Sequence, residues 1–373
     1  MISDYLHKKA SANRVPLDGA FELSPVCNFS CKMCYVRKTN QQICAEGKRL
    51  KTVDEWLTLA EQCRESGTLY LLLTGGEPFL YPGFRELYTR LHQMGFILSI
   101  NSNGSLIDEE TVKWLKQYAP SRVNITLYGS SSATYERISG NSSGYEKAVR
   151  AITMLQEAGI PVVINASMIP ENVCDLEAIL DFGHGLGLNT RMSTYMFPPA
   201  RRDRECGDSR FSAEEAAGIY LRKLKKIYKE DQYKAYAREL LDKREELLQN
   251  DTWGTNTEYM RCRAGRSSFW VSWEGKMTAC GMLDFPIQTD PFQERFLDCW
   301  LRLNDAVRST EVLRGCAGCE KRETCKPCVA MIYTETGTVD EKAPYLCEMA
   351  GCVLDRLSNE LEDTEDAKCR KNE

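Results

Sequence analysis

The sequence predicts an α/β protein, a partial (β/α)6 barrel followed by a small cysteine-rich domain. Three observations support this. From residue 20 to about 200, short β-type runs alternate with amphipathic helical segments, the rhythm of a parallel sheet. Beyond residue 210 that rhythm gives way to a charged helical stretch. From 256 to 352 cysteines crowd together with glycine, aromatics and short strands, as where metal replaces part of an apolar core.

In chain order, the strand candidates are AFELS (20–24), LYLLLT (69–74), FILSIN (96–101), RVNITLY (122–128), PVVINASMI (161–169) and TRMSTYMF (190–197). Helical periodicity falls between them at 52–66, 82–94, 108–118, 143–158 and 173–186. Six such units joined by right-handed crossovers curl into a partial barrel whose ligand site lies at the C-terminal strand ends. Residues 198–210, PPARRDRECGDSR, read as a loop, and Ser212 with Glu215 forms a capping-box pattern opening a helical stretch to about 249. The expected units are a barrel at 1–200, a loop and helical connector at 201–255, the cysteine-rich domain at 256–352, and a charged tail at 353–373 whose last residues, DTEDAKCRKNE, are expected to be disordered.

With 373 residues and 43% apolar content the chain can build a large core plus a smaller appendage. A net charge of −5, with acidic and basic residues interspersed, carries no polyanion-binding signature, so neither nucleic acid nor membrane is expected as a partner. The N-terminal residues contain no apolar signal run, and nowhere do eighteen consecutive apolar residues occur, so a cytoplasmic protein is expected. In that reducing compartment, seventeen cysteines beside only three histidines point to thiolate metal sites, either iron–sulfur clusters or all-thiolate zinc.

Shortly after the first strand comes CNFSCKMCY, with Cys27, Cys31 and Cys34 at CxxxCxxC spacing and Tyr35 following. Three thiolates on a [4Fe–4S] cluster leave one iron open to a substrate or cofactor, whereas three cysteines without a nearby histidine make a poor zinc site. LLLTGGEP places Gly75, Gly76 and Glu77 at the end of the second strand, about forty residues downstream. Together these residues resemble the radical S-adenosylmethionine (SAM) superfamily. The resemblance implies that Cys27, Cys31 and Cys34 hold a [4Fe–4S] cluster whose open iron binds SAM, and that reductive cleavage of SAM yields a hydrogen-abstracting 5′-deoxyadenosyl radical. It further implies that Tyr35 packs near adenine and that Gly75, Gly76 and Glu77 meet the methionyl amino group. Asn103 in NSNG and Thr126 in ITLYGSS match positions near the ribose and the methionyl carboxylate. Where many families continue with serine and aspartate, this chain has Thr126 and Tyr128. Arg137 either pairs with the SAM carboxylate or caps the barrel, and Arg191 and Ser193 on the sixth strand are open to the same two readings.

Cys262, Cys280, Cys316, Cys319, Cys325, Cys328 and Cys347, with Gly275 five residues before Cys280, resemble the SPASM extension of radical SAM enzymes that modify peptides and proteins. The run CAGCEKRETCKPC has two residues between its last cysteines where the family usually has three. The resemblance implies two auxiliary [4Fe–4S] clusters: an inner one on Cys262, Cys280 and Cys328, completed by Cys299 or left open, and an outer one on Cys316, Cys319, Cys325 and Cys347. One or two zinc knuckles are the alternative. Cys206, in the basic loop, is the candidate hydrogen-atom donor, with an inert thiol as its alternative.

The expected function is hydrogen abstraction from a ribosomally made peptide to install a thioether, a carbon–carbon crosslink or an epimer, with electrons from a flavodoxin or ferredoxin-type reductant. RRDRECGDSR either steers an acidic leader peptide or is simply solvated. With Cys27 so near the start, an N-terminal peptide-recognition domain is not expected, which leaves leader binding to another surface or a partner. A formylglycine-forming enzyme of the sulfatase-maturase type is the alternative, although its catalytic aspartate, which directly follows the cysteine equivalent to Cys280, is replaced here by Gly281, with Asp284 nearby. A third reading is a non-catalytic electron carrier or metal-stabilised binding module.

Overall fold

The computed structural model describes residues 2–198, 209–249, 258–260, 262–312, 316 and 318–369, with side chains to 362. The first half runs α1 (Ile2–Ala12), β1 (Asp18–Glu22), α2 (Asn40–Ala45), α3 (Val53–Glu65), β2 (Tyr70–Thr74), α4 (Phe84–Gln93), β3 (Ile97–Ser102), α5 (Glu109–Gln117), β4 (Arg122–Thr126), α6 (Ser132–Ser139), α7 (Gly144–Glu157), β5 (Val162–Ser167), α8 (Leu176–Gly185) and β6 (Asn189–Ser193). Then follow α9 (Ala213–Ile227), α10 (Glu230–Gln249), β7 (Glu258–Tyr259), β8 (Ser268–Val271), β9 (Met277–Thr278), α11 (Phe296–Ser309), β10 (Glu311–Val312), α12 (Arg322–Cys325), α13 (Val329–Thr336) and α14 (Pro344–Cys369).

All six expected barrel strands are present and pair in parallel from β1 to β6. The reason lies in their alternation. Phe21, Leu71, Leu73, Leu98, Ile100, Val123, Ile125 and Ile164 are fully buried against a helical layer that includes Trp56, Leu87, Leu115, Ile152 and Ile179. The other face of β4–β6 carries Thr126, Asn165, Ser167, Arg191 and Ser193, which line a cleft at the strand ends. A helix such as α3 forms because Thr52 and Glu55 close a capping box while Trp56, Leu59, Ala60 and Cys63 recur on one buried face.

The structure departs from the sequence reading in three places. The eight-stranded sheet has the order β6-β5-β4-β3-β2-β1-β8-β9, so SSFWV from the cysteine-rich part extends the barrel sheet, β8 pairing in parallel with β1. Gly19 makes this possible, since a side chain there would run into Phe269 and Leu71. The charged stretch after the capping box of Ser212 and Glu215 is two helices, because Tyr228 turns extended at ψ 144°. Finally, the segment expected to be a charged tail continues α14 as far as Cys369. Val353, Leu354 and Leu357 are buried against Ala217, Leu221 and Leu224 of α9, and that contact turns a charged sequence into a packed helix.

Candidate active site

The loop after β1 carries Cys27, Cys31 and Cys34 and is strapped to the end of α6, where Ser30 N donates to Ser139 O at 2.8 Å and Lys32 N to Ile138 O at 3.1 Å. Two donors converge on Cys27. Phe29 N lies 3.4 Å and Asn103 Nδ2 3.7 Å from its Sγ. Burial, opposed by these donors and reinforced by the neighbouring thiols, pushes Cys27 up to about 11 and Cys31 to about 12. As free thiols the buried pair therefore stays protonated, and holding thiolates there requires a positive counter-charge, which a metal centre supplies. Among the described residues no three His, Cys, Asp or Glu side chains are closed into a metal cage. The donor chemistry nevertheless fits a cluster: coupled thiols, hydrogen-bond donors aimed at sulfur, and no histidine.

Asn103 organises this loop. Its Nδ2 also donates to Asn28 Oδ1 at 3.0 Å, while its Oδ1 accepts from Ser105 N at 2.9 Å and from the Ser105 hydroxyl at 2.6 Å. Its backbone N–H donates to Glu77 at 2.8 Å. Glu77 is fully buried, accepts further bonds from Ser102 Oγ and Phe79 N, and is pushed up to about 7 by burial in spite of them. Its carboxylate ties the ends of β2 and β3 together. Close approach at the two glycines is between backbones: a Cβ on Gly75 would overlap the carbonyl oxygen of Ser24, and one on Gly76 that of Val26. The amides of Gly76 and Glu77 donate to these same oxygens at 2.7 and 3.0 Å. Gly75, Gly76 and Glu77 thus fix the cysteine loop against β2.

The cleft, of about 700 Å³, lies between the strand ends of β4–β6 and a wall from α9, α12, α13 and α14. Strand register aligns Thr126 with Asn165 and Asn165 with Arg191 across its floor. Lys223 faces them from α9, where its Nζ donates to Met192 O at 3.2 Å and burial holds it below the usual lysine range. Tyr35 lies apart from this cleft, in a smaller pocket of about 190 Å³ with Trp270, Cys280, Gly281 and Asp284. Arg137 is exposed and binds Thr134 Oγ1 at 3.1 Å and Glu171 O at 3.2 Å, a tie between α6 and the loop after β5.

Cys316, Cys319, Cys325 and Cys347 act on one another electrostatically but, among the described residues, do not close into a metal-holding group. Cys325 is pushed up to about 12, first by burial and then by the other three, and it also borders the large cleft. Cys262 feels Cys328 and faces α1, whereas Cys280 sits beside Tyr35. Cys206 lies outside the described residues. Sequence reasoning missed Asn28 and Lys223.

A protein-family model described as the Radical SAM superfamily matches residues 21–183. The chain is 25% identical over 343 residues to an AdoMet-dependent heme synthase of Methanosarcina barkeri, covering 87% of this chain and 95% of that protein. It is 24% identical to the sporulation killing factor maturation protein SkfB of Bacillus subtilis, over 48% of this chain and 43% of that one. Among solved structures, Streptococcus suis SuiB bound to its precursor peptide SuiA superposes with a TM-score of 0.62 at 17% identity, covering 92% of this chain and 79% of that one, a likeness of fold.

Proposed function

We propose that this chain, whose residues 21–183 match the Radical SAM superfamily model, is an enzyme working with SAM and a [4Fe–4S] cluster that abstracts hydrogen from a peptide substrate to install a crosslink, a thioether or an epimer. The observation that carries this reading is the cleft of about 700 Å³ at the barrel mouth, large enough to enclose a substrate residue together with SAM. Its walls combine a polar floor (Thr126, Asn165, Arg191) with Met331 and Met349, a mixture suited to a varied side chain and its backbone amides. Relatives point the same way: SkfB is named for peptide maturation and SuiB was solved with a precursor peptide.

When bound, cluster and SAM supply the 5′-deoxyadenosyl radical; the chain supplies the setting. Cys27, Cys31 and Cys34 hold the cluster, with Asn103 orienting Cys27 and Glu77 fixing Asn103. Arg191 and Lys223 put positive charge at the cleft, where it orients a carboxylate of substrate or SAM. Cys316, Cys319, Cys325 and Cys347 hold one auxiliary cluster, and Cys262, Cys328 and Cys280 contribute to another. Cys325 also stands on the cleft wall. The reductant is a flavodoxin or ferredoxin type. No helix among the described residues is long and apolar enough to cross a membrane. Against the formylglycine reading, a side chain at position 281 would press on the Trp270 indole at 2.8 Å, leaving no room for an aspartate there.

A second reading has its own support, because the heme synthase relative spans nearly the whole chain. Its substrate would be a porphyrin whose carboxylates meet Arg191 and Lys223. Anaerobic turnover separates the two. Purified enzyme with SAM and reductant is expected to form 5′-deoxyadenosine faster with a cognate peptide, whose mass or stereochemistry changes. Stimulation by an iron porphyrin that is itself converted, and by no peptide encoded nearby, would replace the first reading with the second.

A further inference from the structure

The end of the sheet opposite the cleft carries a second concavity, of about 610 Å³, between α1, the segment leading into β8, and α11. Strand register places it there: Ser268, the first residue of β8, pairs with Asp18, the first of β1, whereas the cysteine loop follows the last residue of β1. Lys8, Arg263, Arg266 and Arg308 line it, and the one carboxylate among the described lining residues, Asp4, is bound to Arg263. Arg266 and Arg308 are held by neutral oxygens instead. Arg266 Nη1 donates to Met260 O at 3.1 Å, Arg308 Nε to Asn304 Oδ1 at 2.7 Å, and Arg308 Nη2 to Ser11 O. These bonds fix the two guanidinium groups without cancelling their charge. Lys8 is exposed and forms no ion pair among the described residues. Burial, together with the Arg266 and Arg14 guanidinium groups, holds Arg308 below the ordinary arginine range, as expected where like charges crowd.

Beside the concavity, α1 turns apolar side chains outward. Tyr5, one turn before Lys8, is 64% exposed, and Ile2, one turn before Tyr5, is 80% exposed. Exposed apolar groups next to uncancelled cations, on a chain of net charge −5, make a surface suited to an acidic protein: charge steers and orients the partner, and apolar contact then excludes water. An acidic leader peptide fits less well, since the residue to be modified must reach the cleft at the other end of the sheet. An electron donor has no such need, and Cys262, one of the cysteines assigned to an auxiliary cluster, stands on the same wall. We propose that this concavity is the docking surface for a small acidic electron-carrier protein of the flavodoxin or ferredoxin type. This rests on the reading of the chain as a radical SAM enzyme whose auxiliary cluster at Cys262 takes in the electron. In the transfer the reduced carrier loses one electron, the cluster gains it, and no bond forms or breaks.

The test is anaerobic binding of a purified acidic flavodoxin to the iron-loaded enzyme, measured by calorimetry, beside SAM cleavage driven by the reduced flavodoxin or by dithionite, a small reductant that needs no docking. The wild-type Kd is expected to rise as added salt goes from about 50 to about 300 mM, because screening weakens the attraction. In Lys8→Glu and in Arg308→Gln the low-salt Kd should rise about three- to tenfold, with the flavodoxin-driven rate falling in step and the dithionite-driven rate unchanged. Arg308 also ties α11 to α1, so if Arg308→Gln is unstable, Lys8→Glu decides alone. A Kd indifferent to salt and to Lys8→Glu overturns the proposal, as does a Lys8→Glu enzyme that loses both rates equally. If the wild-type enzyme cleaves SAM with neither reductant, the radical SAM reading fails, and the proposal with it.

Discussion

Replacing Glu77 by glutamine tests whether a buried carboxylate really ties β2 to β3 beneath the cysteine loop. The wild-type group is fully buried and pushed from 4.5 up to about 7, so ionising it is harder in the folded state than in the unfolded chain. The protonated form is the better tolerated one, and stability is therefore highest at acid pH, falls as pH rises from about 4.5 to about 7, and is flat above. At 1.36 kcal/mol per unit the full loss is roughly 3 kcal/mol, of which about 2 falls between about pH 5.5 and about pH 8. Glutamine carries no charge, so this slope disappears. Its amide nitrogen, however, must face either Phe79 N or Asn103 N, both donors, leaving one buried group unsatisfied at about 1–3 kcal/mol. The expected outcome is a variant less stable than wild type at pH 5.5 that draws level with it or overtakes it near pH 8. Denaturant unfolding of the anaerobic holoenzymes across this range measures both curves. Parallel curves would mean that Glu77 does not carry the pH dependence assigned to it.

Gly76→Ala should destabilise the protein by at least 1–3 kcal/mol, because the new methyl meets the Val26 carbonyl, a backbone atom that cannot rotate away; thermal unfolding reads it directly. Glu335→Leu removes the largely buried partner of Arg210 and the acceptor of the bond from the Tyr195 hydroxyl at 2.7 Å, so a loss of about 3–5 kcal/mol is expected in chemical denaturation. Lys223→Met keeps the bulk of a side chain on the cleft wall but removes its charge. If a substrate carboxylate is held there, KM for substrate rises about tenfold or more while the unfolding free energy falls by only about 1 kcal/mol, the worth of the lost bond to Met192 O. A Cys27, Cys31 and Cys34 to Ala triple variant should lose about four irons together with the SAM-sensitive signal.

The barrel was legible because its causes are local. Two-residue alternation in LYLLLT and RVNITLY, and helical spacing between such runs, placed every barrel strand, with β2 observed at Tyr70–Thr74 and β4 at Arg122–Thr126. The cysteine loop was legible for a similar reason, since ligand spacing is written along a short stretch of chain. Less visible was what the GGEP segment is for. The glycines suggested a close approach, but only the fold shows that the approach is to Ser24 and Val26 and that Glu77 reaches across to Ser102 and Asn103.

By itself, then, the sequence determined the α/β rhythm and the placing of a three-cysteine loop just after the first barrel strand, because periodicity and spacing act over a few residues. Tertiary structure alone decided that β8, nearly 250 residues after β1, completes the sheet beside it. It decided that Val353, Leu354 and Leu357 turn a charged segment into a packed helix, and that Glu77 reaches across from β2 to Ser102 and Asn103. Each of these depends on surfaces distant in sequence meeting at a fixed register. Such a meeting is governed by burial and shape across the whole molecule, which no window of the chain contains.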